Sequence, residues 1–180
     1  IEAGSNRMRV KKFRIITDYD EINQNTTNYM IPLEVIARYY VAGSLYERMK
    51  DKGFAYGQQI TKPIVEFTTK FEEYDRKLTE EEAIDIAGLS KNEAAHIKNT
   101  VVEIDGYMNK RVAECGLSHV DGKKEFAFDE NRTLVVVDTF GTPDEDRFWN
   151  KDKYQQNIFE ERSKEFVRSY YKSIDYYDRL

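Results

Sequence analysis

The sequence predicts an α+β fold, in which strands and helices mix without a regular βαβ alternation. β-Branched and aromatic residues dominate from Met30 to Val41, which indicates a strand. Capping-box spacings, Thr79 with Glu82 and Ser90 with Glu93, mark the starts of two helices. Two further strand patterns follow, and the short turn between them predicts an antiparallel hairpin.

Alternating and β-branched residues predict the other strands. These strands cover Met8 to Ile16, Pro63 to Thr69, Leu117 to Phe126 and Thr133 to Asp138. The last two are the hairpin strands, and the turn-forming residues Asp129 to Asn131 connect them.

Helical periodicity and glycine positions predict the helices. A short helix spans Ala42 to Lys52, with Gly53 in the left-handed position past its end. Apolar residues recur every three or four positions from Ile97 to Cys115 and predict a long helix that ends before Gly116. After an irregular loop, a last helix is predicted from Tyr154 to Tyr177.

The composition limits the class of protein. The chain has 180 residues, 40% of them hydrophobic and 34% charged, with a formal net charge of -5. This length suits one domain, or one domain plus part of another. The composition is typical of an ordered globular protein. The absence of a basic excess argues against nucleic acid as a partner.

The sequence also predicts the compartment. No stretch reaches the roughly 18 apolar residues of a membrane helix, and the N-terminus lacks a signal-peptide pattern. Cys115, the one cysteine, cannot form an internal disulfide, which fits a reducing environment. Because Cys115 lies on a helical pattern, we expect it to be buried. We therefore predict a cytoplasmic protein without a membrane partner.

The most informative chemistry lies on the hairpin. Asp121, Lys123 and Glu125 are two residues apart on a strand, so their side chains share one face. Asp138 ends the second hairpin strand and should approach that face. Clustered carboxylates repel one another unless a cation lies among them, and oxygen ligands suit Mg²⁺. From this pattern alone, a solvated hairpin remains the commoner interpretation.

A rigid polar corner follows the second hairpin strand. Pro143 lies among charged residues, Asp144, Asp146 and Arg147, directly before an aromatic pair. Ligand-binding loops concentrate at such strand ends.

Four segments together resemble the SAICAR synthetase family. They are Pro32 to Ser44, Val120 to Phe126, Val137 to Trp149 and Ser163 to Arg168. The second resembles the family's Asp-Phe-Lys-x-Glu-Phe element. The third resembles its strand Asp followed by Thr-Pro-Asp or Ser-Pro-Asp, then Arg and an aromatic residue. All four occur in the family's order, so chance is a poor explanation.

The resemblance implies a kinase-reminiscent, two-lobe architecture with a mostly antiparallel sheet. Residues 1–16 would be the end of a small ATP-binding lobe and the hinge, and residues 17–180 the larger substrate- and metal-binding lobe. Because no glycine-rich phosphate loop precedes Arg9, we expect the rest of the N-terminal lobe to be a partner outside this chain. A homodimer is also plausible.

The family's reaction is a step of purine synthesis. ATP phosphorylates 5-amino-1-(5-phospho-D-ribosyl)imidazole-4-carboxylate, and L-aspartate then displaces phosphate from the acyl phosphate to give SAICAR. The resemblance thus implies an ATP- and Mg²⁺-dependent ligase.

The resemblance also assigns roles to residues. Glu125 and Asp138 would bind Mg²⁺, and Lys123 would neutralise the reacting carboxylate or the acyl phosphate. The substrates would contact Arg38, Ser44, Asp144, Arg147, Lys164 and Arg168, and adenine would meet the hinge at Val10, Lys11 and Lys12. Each has a simpler interpretation as a solvated charge, a turn cap or an edge residue. His96 and His119, the latter expected on the face of Asp121, receive no role.

Three positions depart from the family pattern. Tyr39 stands where Asn is common, Gly122 where Phe is common, and Thr139 where Glu is common. Two alternatives therefore stay open: a nucleotide-binding module that has lost catalysis, and a carboxylate-amine ligase with a different amine acceptor.

Overall fold

The structure is a computed structural model that describes residues 10–162 and 164–173. Its strands in chain order are β1 (Tyr29–Tyr40), β2 (Gln59–Thr69), β3 (Lys77–Leu78), β4 (Leu117–Phe128), β5 (Leu134–Val137), β6 (Asp146–Asn150) and β7 (Glu161–Arg162). Within the described residues they form one antiparallel sheet in the order β3-β2-β1-β4-β6-β7. β5 pairs with the end of β4 that β6 does not reach.

The described helices are α1 (Gly43–Met49), α2 (Glu80–Ile86), α3 (Lys91–Glu114), α4 (Lys151–Gln155) and α5 (Lys164–Ser173), with 3-10 turns at Tyr19–Glu21 and Lys50–Lys52. No helix in these residues combines the length and apolar character that a membrane crossing requires.

Both predicted capping boxes are present. The hydroxyls of Thr79 and Ser90 accept hydrogen bonds from the backbone N–H groups of Glu82 and Glu93. Each glutamate side chain accepts in return from the backbone N–H of its cap residue. These reciprocal bonds satisfy donors that the first helical turn leaves unpaired, which fixes where α2 and α3 begin.

The main core lies between one face of the sheet and the helices α2 and α3. Val35 and Phe126 from the sheet pack there with Ile97 and Val101 from α3, and all four are buried. The opposite face carries charged residues at alternate positions of the central strands. We call it the polar face, defined by Glu34, Arg38, Glu66, Asp121, Lys123 and Glu125.

A β-bulge in β4 determines which residues reach the polar face. His119 pairs with Phe148 and Asp121 with Arg147, so two steps along β4 match one step along β6. The bulge shifts the alternation. Asp121 therefore lies on the polar face, while His119 contacts α3 through Asn109. The expectation that His119 shares the face of Asp121 is wrong for this reason.

Several sequence predictions are confirmed. β1 covers the predicted strand to within one residue, and β4 and β5 form the predicted hairpin, with Glu125 opposite Val137. The short helix is present, and Gly53 adopts the left-handed conformation past its end, with φ 83°.

The predicted strand from Met8 to Ile16 is wrong in its described part. Residues 10–16 form only an isolated parallel bridge between Arg14 and Tyr29. Val10 and Ile15 are both exposed, so the apolar residues there do not mark one buried face. Met8 and Arg9 lie outside the described residues.

Two predictions near the C-terminus need correction. The irregular loop contains β6, a strand too short and too charged to show alternation. The predicted helix from Tyr154 to Tyr177 is interrupted: Tyr154 belongs to α4, β7 follows, and α5 begins only at Lys164. Residues 174–180 lie outside the described part.

Cys115 is exposed rather than buried. The buried residues of α3 are Ala94, Ile97, Val101 and Asp105, all in the first part of the helix. The apolar spacing continues to Cys115, beyond Asp105, the last buried residue of the helix.

We predict that Ile97→Ala lowers the free energy of unfolding by about 2–5 kcal/mol, because the side chain is fully buried between α3 and the sheet. Val102→Ala on the same helix removes an exposed side chain and should change it by about 0.5 kcal/mol or less. Denaturant unfolding of both variants measures the difference. Equal losses would contradict the proposed core.

Candidate functional site

The polar face brings Arg38 and Ser44 together around Asp121. Arg38 on β1 is the register partner of Asp121 on β4, and its Nη1 donates to Asp121 Oδ2 at 3.1 Å. Its Nη2 donates to Ser44 Oγ at 3.0 Å, and its Nε to Glu66 Oε2 at 2.8 Å. These contacts use three of the five N–H donors of a guanidinium.

Arg147 joins the same group from β6. It is the register partner of Asp121 on the other side of β4, and its Nε lies 3.4 Å from Asp121 Oδ1. Its guanidinium lies over Gly43, where a Cβ would come within 2.7 Å of Nη2. The side chain of Arg147 is 26% exposed and that of Arg38 only 7%, so Arg147 is the more accessible cation. We call Arg38, Ser44, Asp121 and Arg147 the arginine pocket.

The buried carboxylates of the polar face differ in their response to protons. Burial raises the pKa of Asp121 above its ordinary value despite the charges of Arg147 and Arg38. Burial acts in the same direction on Glu66. There, hydrogen bonds from Arg48 and Lys77 and the charge of Arg38 outweigh it and lower the pKa of Glu66 to about 2. Glu66 therefore anchors three cations at the edge of the arginine pocket.

Lys123 occupies the centre of the polar face. Its ammonium donates to Glu34 Oε1 at 2.6 Å and lies 3.4 Å from Glu145 Oε2. Burial disfavours the charged form, but the hydrogen bond and charge of Glu34, with the charge of Glu145, raise the pKa of Lys123 above its ordinary value. Lys123 is thus a fixed positive charge with its side chain partly open to solvent.

Glu125 and Asp138 lie on neighbouring strands. Glu125 pairs with Val137, the residue before Asp138. Glu125 is buried; its Oε1 lies 2.5 Å from Lys70 Nζ, and its Oε2 has no hydrogen-bond partner among the described residues. Asp138 is exposed, and its side chain accepts a local bond from the N–H of Thr139. A buried carboxylate oxygen without a partner among the described residues, and an accessible carboxylate one residue past its register partner, are ligand types that fit a hard divalent cation.

Two of the remaining substrate candidates, Asp144 and Lys164, line a cleft of about 260 Å³ that Asp121 and Arg147 of the arginine pocket also line. Asp144 and Lys164 form an ion pair across it. The hydrogen bond from Lys164 lowers the pKa of Asp144, and the charge of Arg168 adds to the effect. Arg168 Nη1 donates to Glu165 Oε1 at 2.7 Å. Sequence reasoning therefore identified residues that the structure brings together.

The predicted hinge residues lie elsewhere. Lys11 Nζ is 2.7 Å from Glu130 Oε2 in the turn beyond β4, Val10 is 67% exposed, and Lys12 is also exposed. The turn begins at Asp129, eight residues from Asp121, which corresponds to about 26 Å of strand. The structure thus separates the hinge candidates from the arginine pocket by the length of β4.

Sequence reasoning missed a buried polar cluster on the helix side of β4. The ammonium of Lys124 lies 2.6 Å from Asp105 Oδ1 and 2.8 Å from Asp146 Oδ1, and all three side chains are 0% exposed. His119 Nε2 lies 2.8 Å from the same Asp146 oxygen. We call Asp105, His119, Lys124 and Asp146 the buried cluster. The sequence feature that could have revealed the buried cluster is Lys124, a lysine at a strand position where alternation directs the side chain into the core.

Three members of the buried cluster are of residue types that bind metal ions. Ligand atoms of Asp105, His119 and Asp146 all lie within 4.8 Å of one another. The Lys124 ammonium, however, already lies against both carboxylates and supplies the compensating positive charge. Burial acts against ionisation of Asp146, but its bond to His119 and the charge of Lys124 lower its pKa.

Two of the three departures from the family pattern adjoin this cluster. Tyr39 donates its hydroxyl proton to Asp105 Oδ2 at 3.0 Å and packs on the ring of His119. Gly122 leaves room for the Asp146 carboxylate, since a Cβ there would lie 1.6 Å from Asp146 Oδ1. Both residues therefore act on the helix side of the sheet, away from the polar face.

Comparisons with known proteins agree with this arrangement. The sequence model of the SAICAR synthetase family matches residues 8–179. The chain belongs to the SAICAR synthetase family. A relative from Thermoplasma volcanium, a phosphoribosylaminoimidazole-succinocarboxamide synthase, is 48% identical over 100% of this chain and 64% of its own length. The chain thus spans less than two thirds of that synthase.

Solved SAICAR synthetases have the same fold. One, described as a type-2 structure in complex with ADP, matches with a TM-score of 0.67 and 31% identity over 77% of this chain and 56% of its own. The enzyme from Saccharomyces cerevisiae, complexed with SAICAR, matches with a TM-score of 0.63 and 26% identity over 81% of this chain and 51% of its own. The α+β architecture with an antiparallel sheet is therefore confirmed.

We predict that Gly122→Ala lowers the free energy of unfolding by roughly 3 kcal/mol or more. The new Cβ would displace the Asp146 carboxylate and leave Lys124 with one counter-charge fewer. Gly106→Ala, in α3 with open space around the added methyl group, should instead stabilise by up to about 1 kcal/mol. Thermal and denaturant unfolding of both variants measures the difference. Equal stability of Gly122→Ala and Gly106→Ala would refute the close packing at Gly122.

We also predict an acid-dependent loss of stability through Glu66. Its pKa is lowered from 4.5 to about 2, so its contribution is present above pH 4.5 and is lost as pH falls towards 2. The shift corresponds to roughly 3 kcal/mol. Unfolding free energies of the wild type and Glu66→Gln should therefore differ most above pH 5 and converge towards pH 2. A difference that does not change with pH would contradict the ion-pair assignment.

Proposed function

We propose that this chain supplies the substrate- and metal-binding part of a phosphoribosylaminoimidazole-succinocarboxamide synthase. The observation that supports this most strongly is the order of groups along β4 on one side of the sheet. The turn after β4 contacts Lys11 of the hinge candidates, Glu125 pairs with Val137 next to Asp138, Lys123 follows, and Asp121 holds the arginine pocket. Three ligand parts, adenine, polyphosphate and ribose phosphate, would bind in that order.

The spacing along β4 suits ATP. Asp129 and Glu125 are four residues apart, or about 13 Å of strand. That length matches an extended nucleotide whose base lies near Val10, Lys11 and Lys12 and whose phosphates reach Glu125 and Asp138. Additional contacts to the phosphates would come from an N-terminal lobe, in the part of the relatives' length that this chain does not span.

Glu125 and Asp138 are the residues that would bind Mg²⁺. The unpaired Oε2 of Glu125 and the accessible carboxylate of Asp138 are suitable oxygen ligands. The ion would neutralise phosphate charge during phosphoryl transfer.

The arginine pocket would bind the ribose phosphate of the imidazole nucleotide. Arg147 presents a partly open guanidinium, Arg38 has two N–H donors without a partner among the described residues, and Ser44 offers a hydroxyl at the start of α1. Asp121 holds both guanidinium groups in place between β1 and β6. Two fixed cations beside a hydroxyl suit a phosphate dianion.

The reaction would then proceed in two balanced steps. A carboxylate oxygen of the imidazole nucleotide attacks the γ-phosphorus of ATP, which forms the acyl phosphate and releases ADP. The amine of L-aspartate attacks the acyl carbon, the carbon–oxygen bond to phosphate breaks, and the nitrogen loses a proton. Lys123, a fixed cation between the phosphates and the arginine pocket, would hold the reacting carboxylate and stabilise the acyl phosphate.

The cleft beside the arginine pocket would orient the remaining polar groups. Lys164 and Arg168 are cations near its rim and would pair with carboxylates of L-aspartate or of the imidazole nucleotide. Asp144 would accept a hydrogen bond from the ribose or the imidazole, once Lys164 exchanges its present partner for substrate.

An ADP-release assay on the intact protein tests the function. With ATP, Mg²⁺ and the imidazole carboxylate nucleotide present, we expect ADP formation that depends on L-aspartate. Turnover with another amine but not with aspartate would indicate a different acceptor. Nucleotide binding without turnover under any of these conditions would indicate a module that has lost catalysis.

We predict that Arg147→Ala weakens binding of the imidazole nucleotide by roughly ten- to a hundredfold, because a charge-assisted contact worth about 1.5–3 kcal/mol is lost. The apparent affinity for L-aspartate should change less. Arg76→Ala is a suitable control, since Arg76 pairs with Glu72 and Glu82 away from β4. Calorimetry that shows unchanged nucleotide affinity for Arg147→Ala would remove Arg147 from the phosphate site.

A further inference from the structure

The loop between Asp138 and β6 is attached to the sheet through Asp146. The backbone N–H of Gly141 donates to Asp146 Oδ2 at 2.5 Å. The backbone N–H of Asp146 donates to the carbonyl of Thr142 at 2.8 Å. Asp146 therefore holds the loop at two consecutive positions, Gly141 and Thr142, which begin three residues after the proposed metal ligand Asp138.

The two oxygens of the Asp146 carboxylate have separate partners. Oδ2 accepts from the loop at Gly141, whereas Oδ1 contacts Lys124 and His119 in the buried cluster, each at 2.8 Å. The Lys124 and His119 side chains are fully enclosed, so the carboxylate has a fixed location. The loop is thereby connected to the interior rather than to solvent-exposed groups.

Asp138 is held from both sides. On one side, Val137 pairs with Glu125 in the hairpin; on the other, Gly141 is bound three residues later. Asp138 itself has φ 63°, in the left-handed region that non-glycine residues adopt only occasionally. A residue in that conformation stays in place when the chain on each side of it is fixed.

We propose that Asp146 is a positioning residue for the metal site: through Gly141 it fixes the loop that presents the Asp138 carboxylate beside Glu125. This inference rests on the proposed role of Asp138 as a Mg²⁺ ligand. The Asp146 side chain is fully enclosed and would act through the loop, not as a ligand of the ion. Because the buried cluster is rigid, Asp146 would keep Asp138, a ligand on the other side of the sheet, in a fixed position.

Asp105 provides a matched control for Asp146. Both carboxylates are fully enclosed and both contact the Lys124 ammonium. Asp105 receives its other bond from Tyr39, not from the loop. Removing either carboxylate leaves Lys124 with one counter-charge and removes one further interior bond, to Tyr39 for Asp105 and to His119 for Asp146, so the two variants disturb the buried cluster to a similar extent. Only the Asp146 variant releases Gly141.

The experiment compares Asp146→Ala, Asp105→Ala and Asp138→Asn in the intact protein. Hydrogen exchange of residues 138–145 is measured without metal, and ADP binding is measured by calorimetry across a Mg²⁺ titration. We expect Asp146→Ala to speed exchange of this segment about tenfold or more. We also expect it to raise the Mg²⁺ concentration for half-maximal ADP binding by about ten- to a hundredfold. Asp105→Ala should do neither, despite a similar loss of thermal stability.

The proposal is overturned if exchange of residues 138–145 or the Mg²⁺ midpoint changes equally in the Asp146 and Asp105 variants. It is also overturned if neither quantity changes in Asp146→Ala. If Asp138→Asn leaves the Mg²⁺ midpoint unchanged, the assignment of Asp138 as a metal ligand is wrong. The hydrogen-exchange rates then still show whether Asp146 anchors the loop. Should Asp146→Ala not fold, Asp146→Ser keeps a polar group in the space but is too short to reach both Lys124 and Gly141, and the same criteria apply.

Discussion

The alternation of side chains along β4, shifted by its bulge, is the constraint on which the rest of the structure depends. Two adjacent lysines illustrate it: Lys123 lies on the polar face against Glu34, and Lys124 lies on the helix side against Asp105 and Asp146. A shift of one residue in the pairing would exchange the two faces. It would expose the buried cluster and place the proposed catalytic groups in the core. The pairing of β4 with β1 and β6 therefore fixes the site and the core together.

The buried cluster is costly to form. A lysine ammonium and two carboxylates without solvent contact lose their hydration, and their mutual attraction offsets that loss only in good geometry. An apolar trio of similar size would serve stability as well or better. The charged groups add hydrogen bonds with defined partners and directions. Asp146 can bind Lys124 with one oxygen and Gly141 with the other, which no apolar side chain could do. The cluster is therefore better explained by placement of the loop than by stability.

Sequence patterns predicted the parts of the fold that depend on local chemistry. The capping boxes at Thr79 and Ser90 and the β4–β5 hairpin are confirmed because their signals lie within a few neighbouring residues. The bulge at His119 could not be predicted, since it arises from the pairing of β4 with the distant strand β6. The buried cluster was not predicted because β6 was not predicted: Asp146 meets Lys124 only when β6 lies beside β4. The sequence motifs predicted residues that the candidate site brings together, but they did not predict the residues that hold these side chains in place in the tertiary structure.

The position of the departures from the family pattern bears on whether the site is intact. Tyr39 and Gly122 both adjoin the buried cluster: one bonds Asp105, and the other makes space for Asp146. If they marked decay of a catalytic site, one would expect them to lie among the residues of the polar face. That face instead presents Lys123, Glu125 and Arg147 in an ordered set of ion pairs, with the Glu125 Oε2 as an unpaired buried oxygen. Thr139 is the one departure on the site's side, and it lies in an exposed loop position next to Asp138. Tyr39 and Gly122 thus contact the ionic core beneath the site, and their position argues against the interpretation of the chain as a module that has lost catalysis.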